Sequence, residues 1–424
     1  MSQRLPADVD PCAEEARQGR SMPLAAARAR MLDAVTAVDG DESVPLAESL
    51  DRVLSEDVYS GVDVPSHTNS AMDGFAVAAS DLPAEGERAF PVAGTAWAGR
   101  PYTGTVTPGD CVRIMTGAAM PPGLDTVIMQ EHVRMDGETA VIASGHRPGQ
   151  HVRQAGEDVG AGDLAVAAGT LISAAHVGLL ASLGIPAVRV RRRPRVAFFS
   201  TGDELRPIGQ KLGLGQIYDS NRYTLGAMIR RLNIEPLDMG VVGDDREALE
   251  TAFEQAAAEA DAVITTGGVS VGAADFVTGT LERLGSVGFW KVAMKPGKPV
   301  AFGRIGSALF FGLPGNPVSV MATFYQLVQP ALERLRGIER PPPPVLVRAV
   351  CSEPLRKRPG RTEFQRGVLE DAGDGRYTVR GVGHQGAGVL RSMAEANCFI
   401  VLAADQGPVE AGSEVTVQPF PGLI

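Results

Sequence analysis

The sequence predicts a multidomain α/β protein with a doubly wound parallel α/β domain, an elongated α+β domain and two small β-rich, barrel-like domains. Strand-like and helical patterns alternate from Arg195 to Leu335, which is typical of a parallel sheet covered by helices on both faces. Residues 61–144 and those after Pro344 contain short β-type runs separated by Gly, Pro and Asp. The chain has 424 residues, more than one hydrophobic core usually supports.

The expected domain boundaries follow changes in the sequence pattern. Residues 24–38 carry apolar side chains at helical spacing, and a second amphipathic helix, in ISAAHVGLLASLG, ends at Gly184. The prolines Pro341–Pro344 indicate a stiff linker. We therefore expect a loose N-terminal extension (1–20), an elongated linking domain in two pieces (21–60 and 150–190), an inserted β-rich domain (61–149), the doubly wound α/β domain (191–338) and a C-terminal β-barrel domain (339–424).

The charge and the apolar content argue against several classes of protein. A formal net charge of −10 disfavours non-specific binding of nucleic acid, and the basic run Arg189–Arg195 is more typical of a solvated linker ahead of a strand. The sequence contains no run of about 18 apolar residues and no secretory signal pattern. We therefore expect a cytoplasmic protein that binds neither nucleic acid nor a membrane.

The spacing of cysteine and histidine argues against metal sites built from these residues. The four cysteines are scattered without paired spacing, so neither a zinc site nor a disulfide framework is indicated. The six histidines show no pairing that would predict a metal site or a Ser/His triad. Any bound metal should therefore have oxygen ligands.

Residues 261–319 contain the densest set of candidate functional residues. The apolar run Ala262–Ile264 leads into Thr265-Thr266-Gly267-Gly268, which predicts a buried strand followed by a glycine turn. The backbone N–H groups of such a turn, which extends to Ser270, can surround an anion such as a phosphate group.

Carboxylates follow three predicted strands of the α/β domain. Asp203-Glu204 follows the first, Asp244-Asp245 the second, and Asp275 begins the helix after the third. A single Asp after a strand is most often a helix N-cap, and Asp244 or Asp245 is the best candidate for that role. Several carboxylates at one sheet edge repel one another unless a cation such as Mg²⁺, or the nearby lysines, compensates them.

Lysines and a second turn complete this stretch. Lys291 and Lys295 are four residues apart, so in a continuous strand both ammonium groups would point to one face. Lys298 belongs to the KPGKP turn, whose lysines could equally be solvated. The segment LPGNPVS predicts a strand, a tight turn at Pro314, and a helix with Asn316 or Ser319 near its positive end.

Three compact patterns lie outside the α/β domain. They are SAMDGF (70–75), RIMTGA (113–118) and GED (156–158). From the residues alone these patterns predict turns, with Asp73 and Thr116 as the residues that form turn hydrogen bonds.

Taken together and in this order, the motifs resemble the molybdopterin molybdenumtransferase family. These are the molybdenum-insertion enzymes of molybdenum-cofactor biosynthesis, related to the C-terminal domain of gephyrin. The resemblance covers roughly residues 24–420. The motifs that carry it are NSAMDGFAV, RIMTGA, GEDV, STGDEL, GQIYDSN, TTGGVSVGAADF, WKVAMKPGKP and GLPGNPVS.

The resemblance implies a reaction and an assembly. The substrates would be adenylylated molybdopterin and molybdate, the cofactor Mg²⁺, and the products molybdenum cofactor and AMP. The implied homodimer has elongated subunits and an active site shared between the α/β domain of one subunit and the inserted β domain of the other. Molybdopterin adenylyltransferase and other proteins of the same pathway are the implied partners.

The resemblance also implies residue roles, position by position. Glu204, Asp244 and Asp275 would bind the metal and its waters. The catalytic residues would be Asp73, Thr116, Asp158, Glu204, Asp275, Lys291 and Lys295, of which the two lysines contact phosphate oxygens. The substrate-binding residues would be Gly267, Gly268, Ser270, Lys298, Pro314, Asn316, Ser319, Arg361 and Ser392. Ala387 stands where some relatives carry a hydroxyl residue, so a role that needs that hydroxyl is not carried over.

Two other functions are compatible with part of the sequence. The α/β domain also resembles molybdopterin adenylyltransferases, which perform the preceding step with ATP. Such an enzyme would need neither the inserted β domain nor the C-terminal barrel. A non-catalytic, gephyrin-like scaffold usually has a long extra domain or linker, whereas about twenty loose residues precede the resemblance here.

Overall fold

The computed structural model describes residues 21–267, 275–373 and 375–420, with the backbone alone described at 275–278 and 282. The described chain forms two compact units. Residues 43–190 form the smaller unit, and the described residues up to Glu42 together with those from Arg191 onward form the larger unit. No helix among the described residues is both long and apolar enough to cross a membrane.

Helices and strands are numbered in chain order. The helices are α1 (Leu24–Asp33), α2 (Ala174–Ser182), α3 (Ser220–Arg231), α4 (Arg246–Glu259), α5 (Asp275–Leu284), α6 (Pro317–Thr323), α7 (Gln329–Leu335) and α8 (Arg391–Glu395), with a π-helical stretch (Phe324–Val328) between α6 and α7. The strands are β1 (Asp41–Pro45), β2 (Val58–Tyr59), β3 (Asn69–Ser70), β4 (Gly74–Val77), β5 (Glu87–Ala96), β6 (Cys111–Ile114), β7 (Thr126–Met129), β8 (Val133–Asp136), β9 (Thr139–Ala143), β10 (Val152–Arg153), β11 (Leu164–Val166), β12 (Ala187–Arg191), β13 (Arg195–Thr201), β14 (Leu205–Arg206), β15 (Ile217–Tyr218), β16 (Glu235–Val242), β17 (Ala262–Thr266), β18 (Gly285–Lys291), β19 (Met294–Lys295), β20 (Pro299–Ile305), β21 (Ala308–Leu313), β22 (Val347–Cys351), β23 (Thr362–Asp371), β24 (Tyr377–Gly381), β25 (Cys398–Leu402) and β26 (Glu414–Pro419).

The main sheet of the smaller unit has six strands in the order β7-β4-β6-β5-β9-β8. Strands β5 and β6 pair in parallel, and the other neighbours are antiparallel. Both faces of β4 are buried, because Phe75 and Val77 pack in one apolar cluster while Ala76 packs in another. The sheet is a half-barrel, and apolar side chains pack on both sides of β4.

The rest of the smaller unit contains two-stranded pairs and one helix. The pairs are β1 with β12, β2 with β11, and β3 with β10. Helix α2 begins with a capping box, in which the Ser173 hydroxyl accepts from the His176 backbone N–H and the Ser173 N–H donates to His176 Nδ1. Leu180 of α2 packs against Val44, Leu54 and Val190. This second core fixes the pairs that link the beginning and the end of the unit.

The larger unit is organised on a six-stranded sheet with the order β16-β13-β17-β21-β20-β18. The first four strands are parallel, and β20 and β18 are antiparallel additions at one edge. Every residue of β17 and β21 is buried, as expected for central strands covered on both faces. On one face Phe198 packs with Ile229 of α3, and on the other Phe199 packs with Phe253 of α4. The predicted doubly wound fold class is confirmed.

The segment WKVAMK differs from the prediction. Strand β18 ends at Lys291, where it pairs with Pro299 of β20, whereas β19 pairs in parallel with β23 and places Lys295 opposite Glu363. The expectation that Lys291 and Lys295 share one strand face is therefore wrong. The physical reason is that the chain leaves the α/β sheet after Lys291 and joins the C-terminal sheet at Met294, with two residues between them.

The C-terminal strands close into a barrel. The order is β23-β24-β22-β26-β25, and β25 pairs again with β23. Cys351, Val379, Ile400 and Val417 fill its interior. Closure removes free sheet edges, and the predicted barrel-like character is confirmed.

The basic run ahead of β13 is paired with an acidic side chain. Both terminal nitrogens of Arg192 donate to Asp261, at 2.8 and 2.6 Å, and the Arg195 backbone N–H donates to Asp261 Oδ2 at 2.8 Å. Burial alone would raise the pKa of Asp261, but the hydrogen bonds from Arg192 and Arg195 outweigh burial and lower it. This bidentate pair joins the starts of β13 and β17.

We expect Asp261→Asn to lower the free energy of unfolding at neutral pH by about 1–3 kcal/mol, because a half-buried guanidinium loses its charged partner. Since the folded-state pKa of Asp261 is depressed, its stabilisation is present above the unfolded pKa of about 3.9 and is lost as the pH falls through the folded pKa. Urea unfolding from about pH 7 to about pH 3 should show the wild-type advantage shrinking toward acid.

Glu235→Gln is the matched control. It breaks the exposed Arg195–Glu235 pair, 3.2 Å long, and should change the stability by no more than about 1 kcal/mol. Equal losses for the two variants would contradict the structural role assigned to Asp261.

Candidate active-site cleft

Four parallel strands of the larger unit end at one edge of the sheet. In spatial order they are β16, β13, β17 and β21. Ligands of open α/β sheets bind beyond the carboxyl ends of the strands, so this edge is where the predicted site residues should gather. Carboxylates follow β16 and β13, a glycine turn follows β17, and the loop Pro314–Asn316 follows β21.

The carboxylates after β13 and β16 lie close together. The Asp244 backbone N–H donates to Asp203 Oδ1 at 3.2 Å. Partial burial, and then the charges of Asp203 and Glu204, raise the pKa of Asp244. The neighbouring Asp245 has a different role, since its side chain accepts from the Ala248 N–H at 2.9 Å and caps α4. The structure thus brings the predicted residues Glu204 and Asp244 together and identifies Asp245 as the cap.

The donor set of this acidic group suits a hard cation. Carboxylate oxygens are the ligands that Mg²⁺ prefers. Burial is the first cause of the raised pKa of Asp244, and the charges of Asp203 and Glu204, the second cause, are negative charge that a cation would compensate. Among the described residues, no three His, Cys, Asp or Glu side chains are grouped closely enough to hold a metal by themselves. Asp275 is the first residue of α5, and its side chain is not described. The three-carboxylate metal site stays a prediction.

The glycine turn after β17 has little room for a side chain. Gly267 has a φ of +90°, and a Cβ at this position would lie 2.5 Å from the Thr201 carbonyl oxygen. Its N–H donates to the Leu313 carbonyl at 3.2 Å. Only glycine fits this close approach of two strand ends. The other predicted turn residues, Gly268 and Ser270, lie outside the described residues.

The turn is adjacent to the loop after β21. A Cβ on Gly315 would lie 3.8 Å from the Gly267 Cα, and the Asn221 side chain donates to the Gly315 carbonyl at 2.7 Å. The Oδ1 atom of Asn221 is buried without a hydrogen-bond partner. Asn221, which lies in the motif GQIYDSN, was not among the predicted site residues.

The Pro314–Asn316 loop lines a cleft of about 760 Å³. It is lined by the KPGKP turn and the Pro314–Asn316 loop of the α/β part and by β23 and neighbouring loops of the barrel. Positive charge predominates, because five cationic side chains and two carboxylates line it. The cations are Lys295, Lys298, Arg356, Arg361 and Arg366, and the carboxylates are Glu353 and Glu363.

Six of the predicted residues lie in the wall of this cleft. They are Lys295, Lys298, Pro314, Asn316, Ser319 and Arg361. Lys291 is exposed at the end of β18 and lies outside the lining. Ser392 is buried behind the wall, where its hydroxyl accepts from Arg366 Nε at 3.0 Å and donates to the Val389 carbonyl at 2.6 Å.

Arg366 and Glu363 are cleft residues that the sequence did not identify. Arg366 is only 1 % exposed, and burial lowers the pKa of its guanidinium to about 10. Its terminal nitrogen donates to the carbonyls of His384 and Gly386, at 3.2 and 3.0 Å. The available signal was the alternation in β23, since Arg366 stands two residues after the buried Phe364, at a position where an apolar side chain is expected.

In the smaller unit, Asp73 and Thr116 form a pair. The Thr116 backbone N–H and hydroxyl both donate to Asp73 Oδ1, at 2.7 Å each. These two hydrogen bonds, assisted by the charge of Arg113, lower the pKa of Asp73 although it is exposed. Asp158 lies on another loop, exposed, with its N–H bonded to the Val64 carbonyl at 2.9 Å.

Comparisons with known proteins identify the family and the fold. Three family models match the chain, namely the MoeA N-terminal region (domain I and II) over residues 22–184, the probable molybdopterin binding domain over 197–334, and the MoeA C-terminal region (domain IV) over 348–420. Together they define a multidomain transferase of molybdenum-cofactor biosynthesis.

Individual relatives are similar to this chain over nearly its full length. A molybdopterin molybdenumtransferase of Haemophilus influenzae is 44% identical over 94% of this chain and 98% of its own, and one of a Nostoc species is 38% identical over 90% and 89%. A solved MoeA protein of Pyrococcus horikoshii is similar with a TM-score of 0.82 at 29% identity, covering 95% of this chain and all of that one. The chain belongs to the molybdopterin molybdenumtransferase family, and the predicted resemblance is confirmed.

Proposed function

We propose that this chain inserts molybdenum from molybdate into adenylylated molybdopterin, with Mg²⁺ as cofactor and AMP as the leaving product. The observation that carries the proposal is that Gly267 lies next to Gly315, which lines the cationic cleft. The turn after β17, the carboxylates after β13 and β16, and the cleft are therefore all at one sheet edge. A phosphate-bearing substrate and an oxyanion could bind side by side there. Family membership over nearly the whole chain supports the same reaction.

The cleft is suited to molybdate. Molybdate is a tetrahedral dianion, and compact oxyanions are bound by cations and hydrogen-bond donors that converge from several directions. Lys295 and Lys298 converge from the α/β part, while Arg361 and Arg366 converge from the barrel. The volume of about 760 Å³ leaves space beside the anion for the dithiolene end of the pterin substrate.

The acidic group would serve the other end of the substrate. Glu204, Asp244 and Asp275 would hold Mg²⁺ through carboxylate oxygens, and bound Mg²⁺ supplies charge neutralisation at the phosphoanhydride. Burial and then the charges of Asp203 and Glu204 raise the pKa of Asp244, and a bound cation would offset both effects, which supports this assignment. We further propose that Lys291 contacts phosphate oxygens from the end of β18.

The chain need not supply a nucleophile. The two dithiolene sulfurs of the substrate form the bonds to molybdenum, so the protein contributes binding, orientation and charge. The three described cysteines are buried, and burial raises the pKa of Cys111 and Cys398 to about 12, so they remain thiols. Unpaired thiols suit the reducing cytoplasm, where we propose that the reaction takes place.

There are two alternatives. One is a molybdopterin adenylyltransferase, which performs the preceding step, and the other is a non-catalytic scaffold. AMP release that depends on both adenylylated molybdopterin and molybdate would support the proposal. Adenylylation of molybdopterin by ATP without molybdate-dependent AMP release would support the first alternative. Absence of both activities in a folded protein would favour the second.

We expect Asp275→Asn to abolish molybdate-dependent AMP release while the protein stays folded, because the loss of a metal ligand affects function more than packing. AMP is measured by chromatography and folding by thermal unfolding. Asp245→Asn is the matched control, since Asn caps a helix about as well as Asp and should preserve both activity and stability. Full activity of Asp275→Asn would contradict the metal assignment.

We expect Lys298→Met to raise the KM for molybdate by about 10- to 100-fold, because a charge-assisted hydrogen bond to the anion is lost. The KM for adenylylated molybdopterin should change much less. Steady-state AMP release with each substrate varied in turn measures both values. Lys211→Met, at an exposed position outside the cleft, should leave both unchanged. A larger effect on the pterin KM would argue that Lys298 serves the other substrate.

We also propose the homodimer, with Asp73, Thr116 and Asp158 contributing to a reaction centre on the partner subunit. We expect chains carrying Asp73→Asn and Asp275→Asn, each inactive as a homodimer, to recover up to about a quarter of the wild-type activity when co-expressed, because one site of the mixed dimer is intact. Co-purification on two different tags isolates the mixed dimer, which should have about half of the wild-type activity because one of its two sites is intact. Activity no greater than that of the single variants would contradict a shared site.

A further inference from the structure

The parallel pairing of β19 with β23 places a lysine of the cleft opposite a carboxylate of the barrel. In this register Met294 faces Thr362 and Lys295 faces Glu363. Lys295 Nζ lies 3.3 Å from each carboxylate oxygen of Glu363. The lysine side chain is 51% exposed, whereas the glutamate side chain is 6% exposed. The pair therefore consists of a buried anchor and an ammonium group that faces the cleft.

Glu363 is fixed independently of the lysine. Gln365 Nε2 donates to Glu363 Oε2 at 3.2 Å and to the Arg356 carbonyl at 2.8 Å. Gln365 is itself buried, and Glu363 and Gln365 lie on the same strand two residues apart. Separating Lys295 from Glu363 would leave the carboxylate charge buried and unpaired, which is strongly unfavourable.

The geometry restricts what Lys295 can do. An ammonium group has three N–H donors, and contact with both Glu363 oxygens engages at most two of them. At least one N–H group is left for a ligand in the cleft. Its position is fixed by the contact of the ammonium group with Glu363 of the barrel, although the lysine side chain is long and flexible. A free lysine would have to be immobilised when the anion binds, which lowers affinity.

We propose that Glu363 is the positioning residue of the molybdate site, holding Lys295 so that one of its N–H groups is ready for the oxyanion. This inference rests on the proposed function of the cleft. Glu363 acts through Lys295 and does not itself contact molybdate. The opposite possibility is that its negative charge merely weakens anion binding.

The test compares Glu363→Gln, Glu363→Asp, Lys295→Met and the double variant Glu363→Gln/Lys295→Met. Readouts are the KM for molybdate and kcat in AMP release, and the Kd of molybdate itself for the substrate-free protein by isothermal titration calorimetry. Thermal unfolding reports whether each variant is folded. Glu370→Gln, in the same strand but outside the cleft lining, is the control for removing a carboxylate from β23.

We expect Glu363→Gln to raise the Kd and the KM for molybdate by about threefold to tenfold with kcat changed by less than about twofold, because only the ordering of Lys295 is lost. Glu363→Asp keeps the charge and should recover part of the affinity. In the Lys295→Met background, Glu363→Gln should add less than about a twofold change, since residues that act as one unit are not additive.

Three results would overturn the inference. Tighter molybdate binding by Glu363→Gln would show that Glu363 acts as an opposing charge. Equal effects of Glu363→Gln with and without Lys295 would show that it does not act through the lysine. A lower kcat with unchanged KM would show a role in another step. Failure of the wild type to bind molybdate or release AMP would instead contradict the proposed function itself.

Discussion

The cleft depends on one short strand pairing. Two residues of β19 bond to β23 in parallel, and the Thr362 N–H donates to the Ala293 carbonyl at 3.0 Å just before this pair. This pairing brings a turn of the α/β sheet into contact with the barrel, so lysines from one and arginines from the other line the same space. In this register Lys295 of the turn stands opposite Glu363 of the barrel.

Charge is arranged along the sheet edge in a consistent order. Carboxylates that repel one another lie after β13 and β16, a glycine turn follows at β17, and cations predominate in the cleft beyond β21. The raised pKa of Asp244 and the lowered pKa of Arg366 both belong to groups whose charged forms gain from a ligand of opposite sign. A cation bound beside the carboxylates and an oxyanion bound in the cationic cleft would each compensate the charge of the group beside it.

The sequence predicted those parts of the fold and site that local patterns determine. Strand–helix alternation identified the α/β sheet, and the carboxylates and Gly267 were identified because each directly follows a strand. Contacts between distant segments could not be predicted in this way. Glu363 and Lys295 are 68 residues apart, and their pairing depends on a register that no local pattern encodes. The break after Lys291 and the hydrogen bond between Arg366 and Ser392 likewise depend on contacts between segments that are distant in the sequence.

The central claim is that the cleft between the KPGKP turn and β23 receives molybdate. Anomalous scattering at the molybdenum absorption edge, from crystals of this protein equilibrated with molybdate, tests it most directly. The account predicts one molybdenum peak in the cleft, within hydrogen-bonding reach of Lys295 and Lys298 from one side and Arg366 from the other. A molybdenum peak beside Asp203 and Asp244, or none in the cleft of a protein active in solution, would contradict it.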